Sequence, residues 1–171
     1  GTAVVDGAGS QFTSSSHAYL GKLGTGNLTV QNGGLVSVGG DFAGGNGNGA
    51  VANLQVNTGS TMNIKNFYFG GAAGSSATGI IDGSGTTLAT VGTGNFTVGV
   101  SGTGDLTIRN HAHASGVGTS LGSAATGDGT MTVTGSGSQY TTTSTNTIGL
   151  AGKGTLKILD GGLVSNTSSA I

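Results

Sequence analysis

The side chains that could perform acid–base chemistry in this chain are six acidic residues, all Asp, and three histidines, with no cysteine to act as a nucleophile. Asp6 and Asp82 hold equivalent places in a repeated pattern, three repeat units apart. If each unit is one coil of a stack, with strands about 4.8 Å apart, these carboxylates lie roughly 14 Å from each other. Two carboxylates divide acid and base roles on a sugar only within about 5 to 9.5 Å. The other four acids are scattered through turns, at Asp41, Asp105, Asp128 and Asp160. The sequence therefore predicts a protein that is not an enzyme.

A second group that could do chemistry is the histidine pair in Asn110-His111-Ala112-His113-Ala114. Another repeat has Asn-Gly-Gly-Leu-Val at this place, at residues 32–36. Because small Ala residues alternate with the histidines, both imidazoles are expected to point outward from one strand, roughly 7 Å apart. They are interpreted as exposed side chains on a smooth face. A pH-sensitive or partner-contacting patch is an alternative, since imidazole titrates near neutral pH.

A metal site at these histidines would need further ligands. A closed zinc site takes four ligands of the His, Cys or carboxylate type, whereas the positions expected to align on the neighbouring coils are Ser84, Thr86, Ser136 and Ser138. The calcium-binding nonapeptide is approached only by GGNGNGAVA at residues 44–52, which lacks its Asp. No metal and no other cofactor is therefore expected, although a metal at the histidine pair stays an open alternative.

The elements that must position these residues are set by an internal repeat. GTGNLTVQNGGLVS at residues 24–37 returns as GKGTLKILDGGLVS at residues 152–165. An apolar anchor recurs across the chain at intervals of 25, 26, 25, 27, 25 and 25 residues, at Val5, Val30, Val56, Ile81, Ile108, Val133 and Ile158. The units begin near residues 1, 24, 50, 77, 102, 127 and 152. A period of this length indicates a repeat architecture.

Apolar and polar residues alternate around each anchor, as in Leu28-Thr29-Val30, which is typical of a half-buried strand. Each unit carries three short apolar strings separated by Gly and Asn, so the sequence predicts an all-β parallel solenoid of about seven coils with three short strands per coil. An antiparallel sandwich or barrel is the main rival fold. The predicted inward stack consists of Val5, Leu28, Val30, Leu54, Val56, Ile81, Leu106, Ile108, Met131, Val133, Leu156 and Ile158.

The composition limits the partners of the chain. Lys and Arg number five in 171 residues, and the net charge is −1, so no basic surface is available to neutralise phosphates and nucleic acid is not expected. The apolar runs are too short for a transmembrane helix, and no secretory signal opens the chain. Because GTAVVDG at the start already lies inside a repeat, residues 1–171 are interpreted as a single solenoid segment of a longer protein.

GTGNLTVQNGGLVSVGGD and GTAVVDGAGSQFTSSSHAYLG resemble the repeats in the passenger regions of bacterial type V secreted proteins, the autotransporters. The resemblance covers essentially the whole chain. It implies a right-handed parallel β-helix outside the cell or on the bacterial surface, displayed through an outer-membrane barrel that lies outside this sequence. Family members serve as adhesins, aggregation factors, stalks, toxins or host-signalling ligands. The absence of Cys is compatible with this route, because a disulfide would obstruct threading through a pore.

The function that the repeat and the resemblance imply is a non-enzymatic adhesin or stalk that presents a binding face. The expected partners are a host-cell surface protein or glycan, or a neighbouring passenger, and this segment is not expected to insert into a membrane. A secreted effector that binds a host receptor is one alternative. A polysaccharide-acting β-helix is another, and TTTSTNT at residues 141–147 suggests an ice-binding one. Ice binding would need the same Thr pair on every coil, but the aligned positions are Ser37, Asn63 and Ser115.

The residue that follows each anchor should line an outer ladder of side chains. Asp82 and Arg109 fall on adjacent coils of this ladder and are predicted to pair; together with His111 and His113 they are the candidate surface contact. Exposed pairs of this kind are worth about 0.2 to 1 kcal/mol. The two end coils are predicted to fray or to allow weak end-to-end self-association, because they leave backbone groups and core unpaired.

Overall fold

The computed structural model describes all residues from Gly1 to Ile171. The chain folds into strands β1 Thr2–Asp6, β2 Gln11–Ser14, β3 Ala18–Leu20, β4 Thr25–Gln31, β5 Leu35–Gly44, β6 Val51–Asn57, β7 Thr61–Phe69, β8 Ser76–Asp82, β9 Thr87–Thr90, β10 Asn95–Val98, β11 Thr103–Arg109, β12 His113–Gly116, β13 Gly118–Leu121, β14 Asp128–Thr134, β15 Gln139–Thr142, β16 Thr145–Ile148, β17 Lys153–Leu159, β18 Leu163–Ser165 and β19 Ser168–Ala170. All strand pairs described below are parallel. There is no helix long and apolar enough to cross a membrane.

The strands stack as a parallel β-solenoid of seven coils. One sheet takes a strand from every coil in chain order, β1-β4-β6-β8-β11-β14-β17, and a second, 12-stranded sheet holds the rest. Five coils contribute two strands to the second sheet, so the predicted three strands per coil are confirmed there. In the second and third coils those two strands merge into β5 and β7, of 10 and 9 residues. The pairing of β5 with β7 shifts register between Val38 and Asp41, where the merged strand bends.

The predicted apolar anchors form one continuous ladder. The backbone register joins each anchor to its counterpart one coil away, from Val5 to Ile158. The anchors from Val5 to Val133 are buried, and Leu28, Leu54, Leu106 and Met131 are buried beside them. Leu156 is only partly buried, and Ile158 is 49% exposed. Ile158 keeps its place in the ladder beside Val133 and is exposed because β17 has a neighbouring strand on one side alone.

Aromatic rings fill a second part of the interior that the anchor pattern did not identify. The Phe67 ring centroid lies 4.3 Å from that of Phe69 and 4.6 Å from that of Phe96. The stack continues to Tyr140, whose ring centroid is 5.3 Å from that of Phe96. The buried Tyr140 hydroxyl hydrogen-bonds to Thr119, and burial raises the pKa of this phenol. Stacked and edge-on rings of this kind contribute about 0.5–1.5 kcal/mol each beyond their buried area.

The corner that follows the third strand of the fifth coil, β13, requires glycine. At Gly122 the backbone φ is +67°, and a Cβ placed there would lie 2.3 Å from the carbonyl oxygen of Lys153 on the next coil. Both the left-handed conformation and this close approach exclude a side chain. The same apolar-Gly pair ends β3, β10 and β13, at Leu20-Gly21, Val98-Gly99 and Leu121-Gly122, with a positive φ at each glycine. The pair therefore marks a corner of the solenoid.

The turn between the two sheets comes in two lengths. Three residues link the strands after Gln31, Asn57, Arg109 and Leu159, and four residues link them after Asp6, Asp82 and Thr134. The short turn opens with two consecutive residues of positive φ, as at Asn32 (54°) and Gly33 (82°). This backbone is typical of a type I′ turn, which favours Asn-Gly. The three long turns all contain Gly-x-Gly, at residues 7–9, 83–85 and 135–137, so this string marks the longer turn.

Candidate functional site

Three adjacent strands end side by side at the candidate site. β6 ends at Asn57, β8 at Asp82 and β11 at Arg109, and the register pairs Asn57 with Asp82 and Asp82 with Arg109. The anchors that precede these residues are fully buried. Because side chains alternate along a strand, the three terminal side chains point away from the core.

The predicted pair between Asp82 and Arg109 is formed. Arg109 donates from Nε at 2.8 Å and from Nη2 at 2.7 Å, both to Oδ2 of Asp82. Asn110 donates from Nδ2 to the other carboxylate oxygen, Oδ1, at 2.7 Å. The carboxylate is thus held from the next coil by a cation and an amide, and the pair adds no net charge to the surface. Its main effect is to fix the register of the two coils.

A polar groove of about 610 Å³ lies beside this pair. It is lined by Gln55, Asn57, Thr58, Ile80, Asp82, Gly83, Ser84 and Arg109. Asp82 and Arg109 are bound to each other. The side chains of Gln55, Asn57 and Ser84 make no hydrogen bond within the chain. The groove can therefore donate to and accept from a polar ligand, while Ile80 offers its only apolar contact.

The two histidines next to this pair lie in different elements. His111 is the second residue of a short turn, with a φ of 68°, and His113 begins β12. The expectation that both lie on one strand was wrong. Gly33 occupies the place of His111 in the second coil, so His111 is a non-glycine residue in a left-handed position. Its ring covers the next coil, since a Cβ placed on Gly137 would lie 2.5 Å from His111 Cδ2.

The neighbours predicted for the histidines also differ from those observed. His113 pairs in register with Thr87 and Gln139 and not with Thr86 and Ser138. The expected alignment was wrong by one residue because the adjacent coils have the longer turn. Ser138 instead accepts a hydrogen bond from the backbone N–H of His111 at 3.2 Å. No group of three or more His, Cys, Asp or Glu side chains is arranged to hold a metal ion.

Most of the remaining carboxylates also bind an adjacent coil. Asp6 accepts from Asn32 at 2.8 Å and from Gln31 at 3.1 Å, and these bonds lower the pKa of the Asp6 carboxyl. The other inter-coil contacts of carboxylates are Asn66 with Asp41, Lys153 with Asp128 and Thr134 with Asp160. Asp105 makes no side-chain hydrogen bond within the chain. Five of the six carboxylates thus tie one coil to another.

His17 contacts Asp41, but the contact is not an ion pair between these side chains. The His17 Nδ1 atom lies 3.3 Å from Asp41 Oδ2 and accepts the backbone N–H of Asp41 at 3.0 Å. A nitrogen that accepts this hydrogen bond carries no proton to donate to the carboxylate. His17 therefore contacts β5 at its register shift as a hydrogen-bond acceptor.

The sequence is expected to hold no GxSxG nucleophile elbow, yet residues 118–122 read Gly-Thr-Ser-Leu-Gly and match the letters of that motif. The motif acts in hydrolases when its Ser sits on a sharp turn from a strand into a helix. Ser120 is instead the third residue of the extended strand β13. Its register partners are Thr97 and Thr147, and neither side chain is a base that could activate a hydroxyl.

The Thr-rich stretch TTTSTNT at residues 141–147 turns a corner between β15 and β16. Thr142 and Asn146 are buried, and the Thr142 hydroxyl donates to the Asn146 side-chain oxygen at 2.8 Å. Part of this stretch therefore faces the core and does not contribute to an outer Thr array. Ice binding stays an alternative, but this stretch does not supply the regular outer row of Thr side chains that it would need.

No family model, no curated protein and no solved structure matches this chain.

Proposed function

We propose that the chain is a non-enzymatic segment of a surface-displayed passenger of the autotransporter type, acting as an adhesin or as a stalk that carries a binding face. The observation that carries this proposal is the use of the carboxylates. Five of the six acidic side chains form a hydrogen bond or ion pair with a residue of an adjacent coil. These carboxylates therefore stabilise the stacking of the coils. The resemblance of the repeats to passenger repeats supports the location outside the cell.

The proposed partner of the adhesin is a host-cell surface protein or glycan, or a neighbouring passenger. The polar groove beside Asp82 and Arg109 offers unpaired amide and hydroxyl groups, with Ile80 as an apolar floor. Groups of this kind suit recognition of a polar surface better than burial of a small apolar ligand. In the stalk alternative the same face is only solvent-exposed.

Measurements of cell binding, cell stimulation and polysaccharide cleavage test the function. A fluorescently labelled, monomeric chain is titrated onto host cells, and an adhesin is expected to bind saturably and to be displaced by unlabelled chain. A stalk is expected not to bind alone, and alanine changes on its outer faces should leave the binding of the whole passenger unchanged. A secreted effector would instead stimulate the cells by itself. Release of reducing ends from a polysaccharide panel, above a heat-unfolded control, would contradict the non-enzymatic proposal.

A further inference from the structure

A second groove, of about 360 Å³, crosses the outside of the 12-stranded sheet. Its floor is a row of outward side chains from four successive coils: the register joins Tyr68 to Thr97, Thr97 to Ser120, and Ser120 to Thr147. Neighbouring coils are about 4.8 Å apart, so the row places one hydroxyl at each such step. This groove lies outside the site that contains Asp82 and Arg109.

A side chain is missing from a second, parallel row of the groove, at Gly118. Asn95 pairs in register with Gly118, and Thr145 of the next coil also lines the groove. A Cβ built on Gly118 would approach nothing more closely than the Thr145 carbonyl oxygen, at 3.4 Å. Its φ is not in the left-handed range. Neither space nor backbone conformation requires glycine here, in contrast to Gly122.

The polar groups that line this groove are available to a ligand. The side chains of Tyr68, Asn95, Ser120 and Thr147 make no hydrogen bond within the chain and are exposed or half-buried. Thr97 is also unpaired but only 7% exposed, so it forms part of the groove floor. On the same strands the inward-facing Thr119 and Asn146 are bonded to Tyr140 and Thr142. The strands thus pair the inward Thr119 and Asn146 and leave the outward Tyr68, Asn95, Ser120 and Thr147 unpaired.

The lining determines the class of ligand. It contains an aromatic ring, hydroxyls and a carboxamide, and no ionisable acid or base apart from the Tyr68 phenol. A phosphate or carboxylate ligand would find no cation there, and a basic peptide no anion. A sugar offers hydroxyls that donate and accept, together with an apolar ring face that packs on an aromatic side chain.

We propose that this groove is a subsite for a neutral oligosaccharide, with the Tyr68 ring against one sugar face. Asn95, Ser120 and Thr147 hydrogen-bond the sugar hydroxyls along the row. This inference deepens the proposed function and rests on it, because it gives the adhesin a glycan class as its partner. A shallow, polar groove excludes little water, so the affinity of one site is expected to be weak, with a Kd on the order of 0.1–1 mM. Display of many copies on one surface would strengthen binding through avidity.

The direct test is a titration by saturation-transfer NMR. The probes are lactose, maltotetraose, cellotetraose and chitotetraose, with sialyllactose as a charged comparison. Gly118→Val fills the groove with a residue that favours strands, and Tyr68→Ala removes the ring. Tyr19→Ala is the matched control, because Tyr19 is an exposed tyrosine outside the groove. Circular dichroism melting of each variant shows whether it is folded.

At least one neutral oligosaccharide is expected to bind the parent chain, and both groove variants should weaken it at least tenfold. The Tyr19 control should stay within twofold of the parent. The subsite proposal is overturned if no neutral probe binds, or if folded Gly118→Val and Tyr68→Ala variants bind as well as the parent.

Cell binding separates a failure of this subsite from a failure of the proposed function. If the chain binds host cells saturably and Gly118→Val binds them equally well, the adhesin proposal stands and the glycan subsite fails. If the chain binds a neutral oligosaccharide in the groove but does not bind cells, the subsite stands and the adhesin proposal fails.

Discussion

The hydroxyl of Thr86 accepts a hydrogen bond from the backbone N–H of Gly59, one coil earlier, at 3.0 Å. The same hydroxyl donates to the Asp82 carbonyl oxygen at 2.8 Å. Thr86 is the last residue of a long turn and Gly59 lies in a short one, so this side chain joins the two turn geometries. Ser138 holds the N–H of His111 in the same way, at 3.2 Å.

Thr86→Ala should therefore destabilise the solenoid. Thr86 is fully buried, and its removal breaks the hydrogen bond to the exposed Gly59 and the one to the Asp82 carbonyl oxygen, a loss of about 0.5–1.5 kcal/mol for each bond. Ser84→Ala changes an exposed hydroxyl of the same turn and should stay within about 0.5 kcal/mol of the parent. Urea unfolding followed by circular dichroism measures both. Equal midpoints for the two variants would show that the hydroxyl does not join the turns.

Gly122→Ala should be among the most harmful small changes. The new methyl group would meet the Lys153 carbonyl oxygen in a left-handed backbone, and strain and overpacking together cost about 2–4 kcal/mol. Gly118→Ala, in the same strand region, would place its Cβ in van der Waals contact with the Thr145 carbonyl oxygen at 3.4 Å and is expected to be neutral or slightly stabilising. Thermal melting of both variants decides the question, and a Gly122→Ala variant that melts with the parent would contradict the assigned corner.

The inward and outward faces can be separated with one substitution at adjacent residues. Ile81 is fully buried and pairs with Ile108, whereas Ile80 lines the polar groove. Ile81→Asp would bury an unpaired carboxylate and should cost several kcal/mol, about 3 or more, and disrupt the stack between adjacent coils. Ile80→Asp should cost far less, because the new carboxylate reaches water. If Ile80→Asp unfolded at a lower urea concentration than Ile81→Asp, the assignment of Ile81 to the inner face and Ile80 to the outer face would be wrong.

Acid should weaken the tie between the first two coils. The Asn32 and Gln31 amides hold the pKa of Asp6 below its ordinary value of 3.8. A group with a lowered folded-state pKa stabilises the fold above its unfolded pKa, and that stabilisation is lost as the pH falls through the folded value. The melting temperature of Asp6→Asn should therefore fall less than that of the parent below about pH 4. Asp105→Asn is the control, since Asp105 makes no side-chain hydrogen bond, and an equal change in both variants would contradict the prediction.

The end coils should open before the middle ones. Phe12 and Tyr19 are 43% and 47% exposed in the first coil, and Ile158 and Leu163 are 49% and 51% exposed in the last. Hydrogen exchange is expected to be fastest in β1–β3 and β17–β19 and slowest in β8 and β11. Light scattering should show weak end-to-end association that grows with concentration. A strictly monomeric chain with uniform exchange would contradict the open-ended stack.

The spacing of the anchors was sufficient to predict the coil number and the Asp82–Arg109 pair, because a buried ladder requires the same residue class at each step. The turn lengths were not predicted from the same spacing. Gly83–Thr86 and Asn110–Ala112 differ by one residue, and compensating changes elsewhere keep the overall period, so His113 was aligned one residue away from its true partners. The aromatic stack was missed because Phe67 and Phe96 are non-local neighbours on separate coils, whose side chains meet only after the coils have stacked. The groove at Gly118 was missed because the sequence does not distinguish Gly118, where the backbone would accept a side chain, from Gly122, where it would not.

The most direct test of the central claim, display outside the cell, is antibody labelling of the organism that encodes the chain. Antibodies raised against residues 1–171 are applied to intact and to permeabilised cells, with an antibody against a cytoplasmic protein as the control. The account predicts equal labelling of intact and permeabilised cells by the chain-specific antibody, and labelling by the control only after permeabilisation. Labelling by both antibodies only after permeabilisation would contradict it.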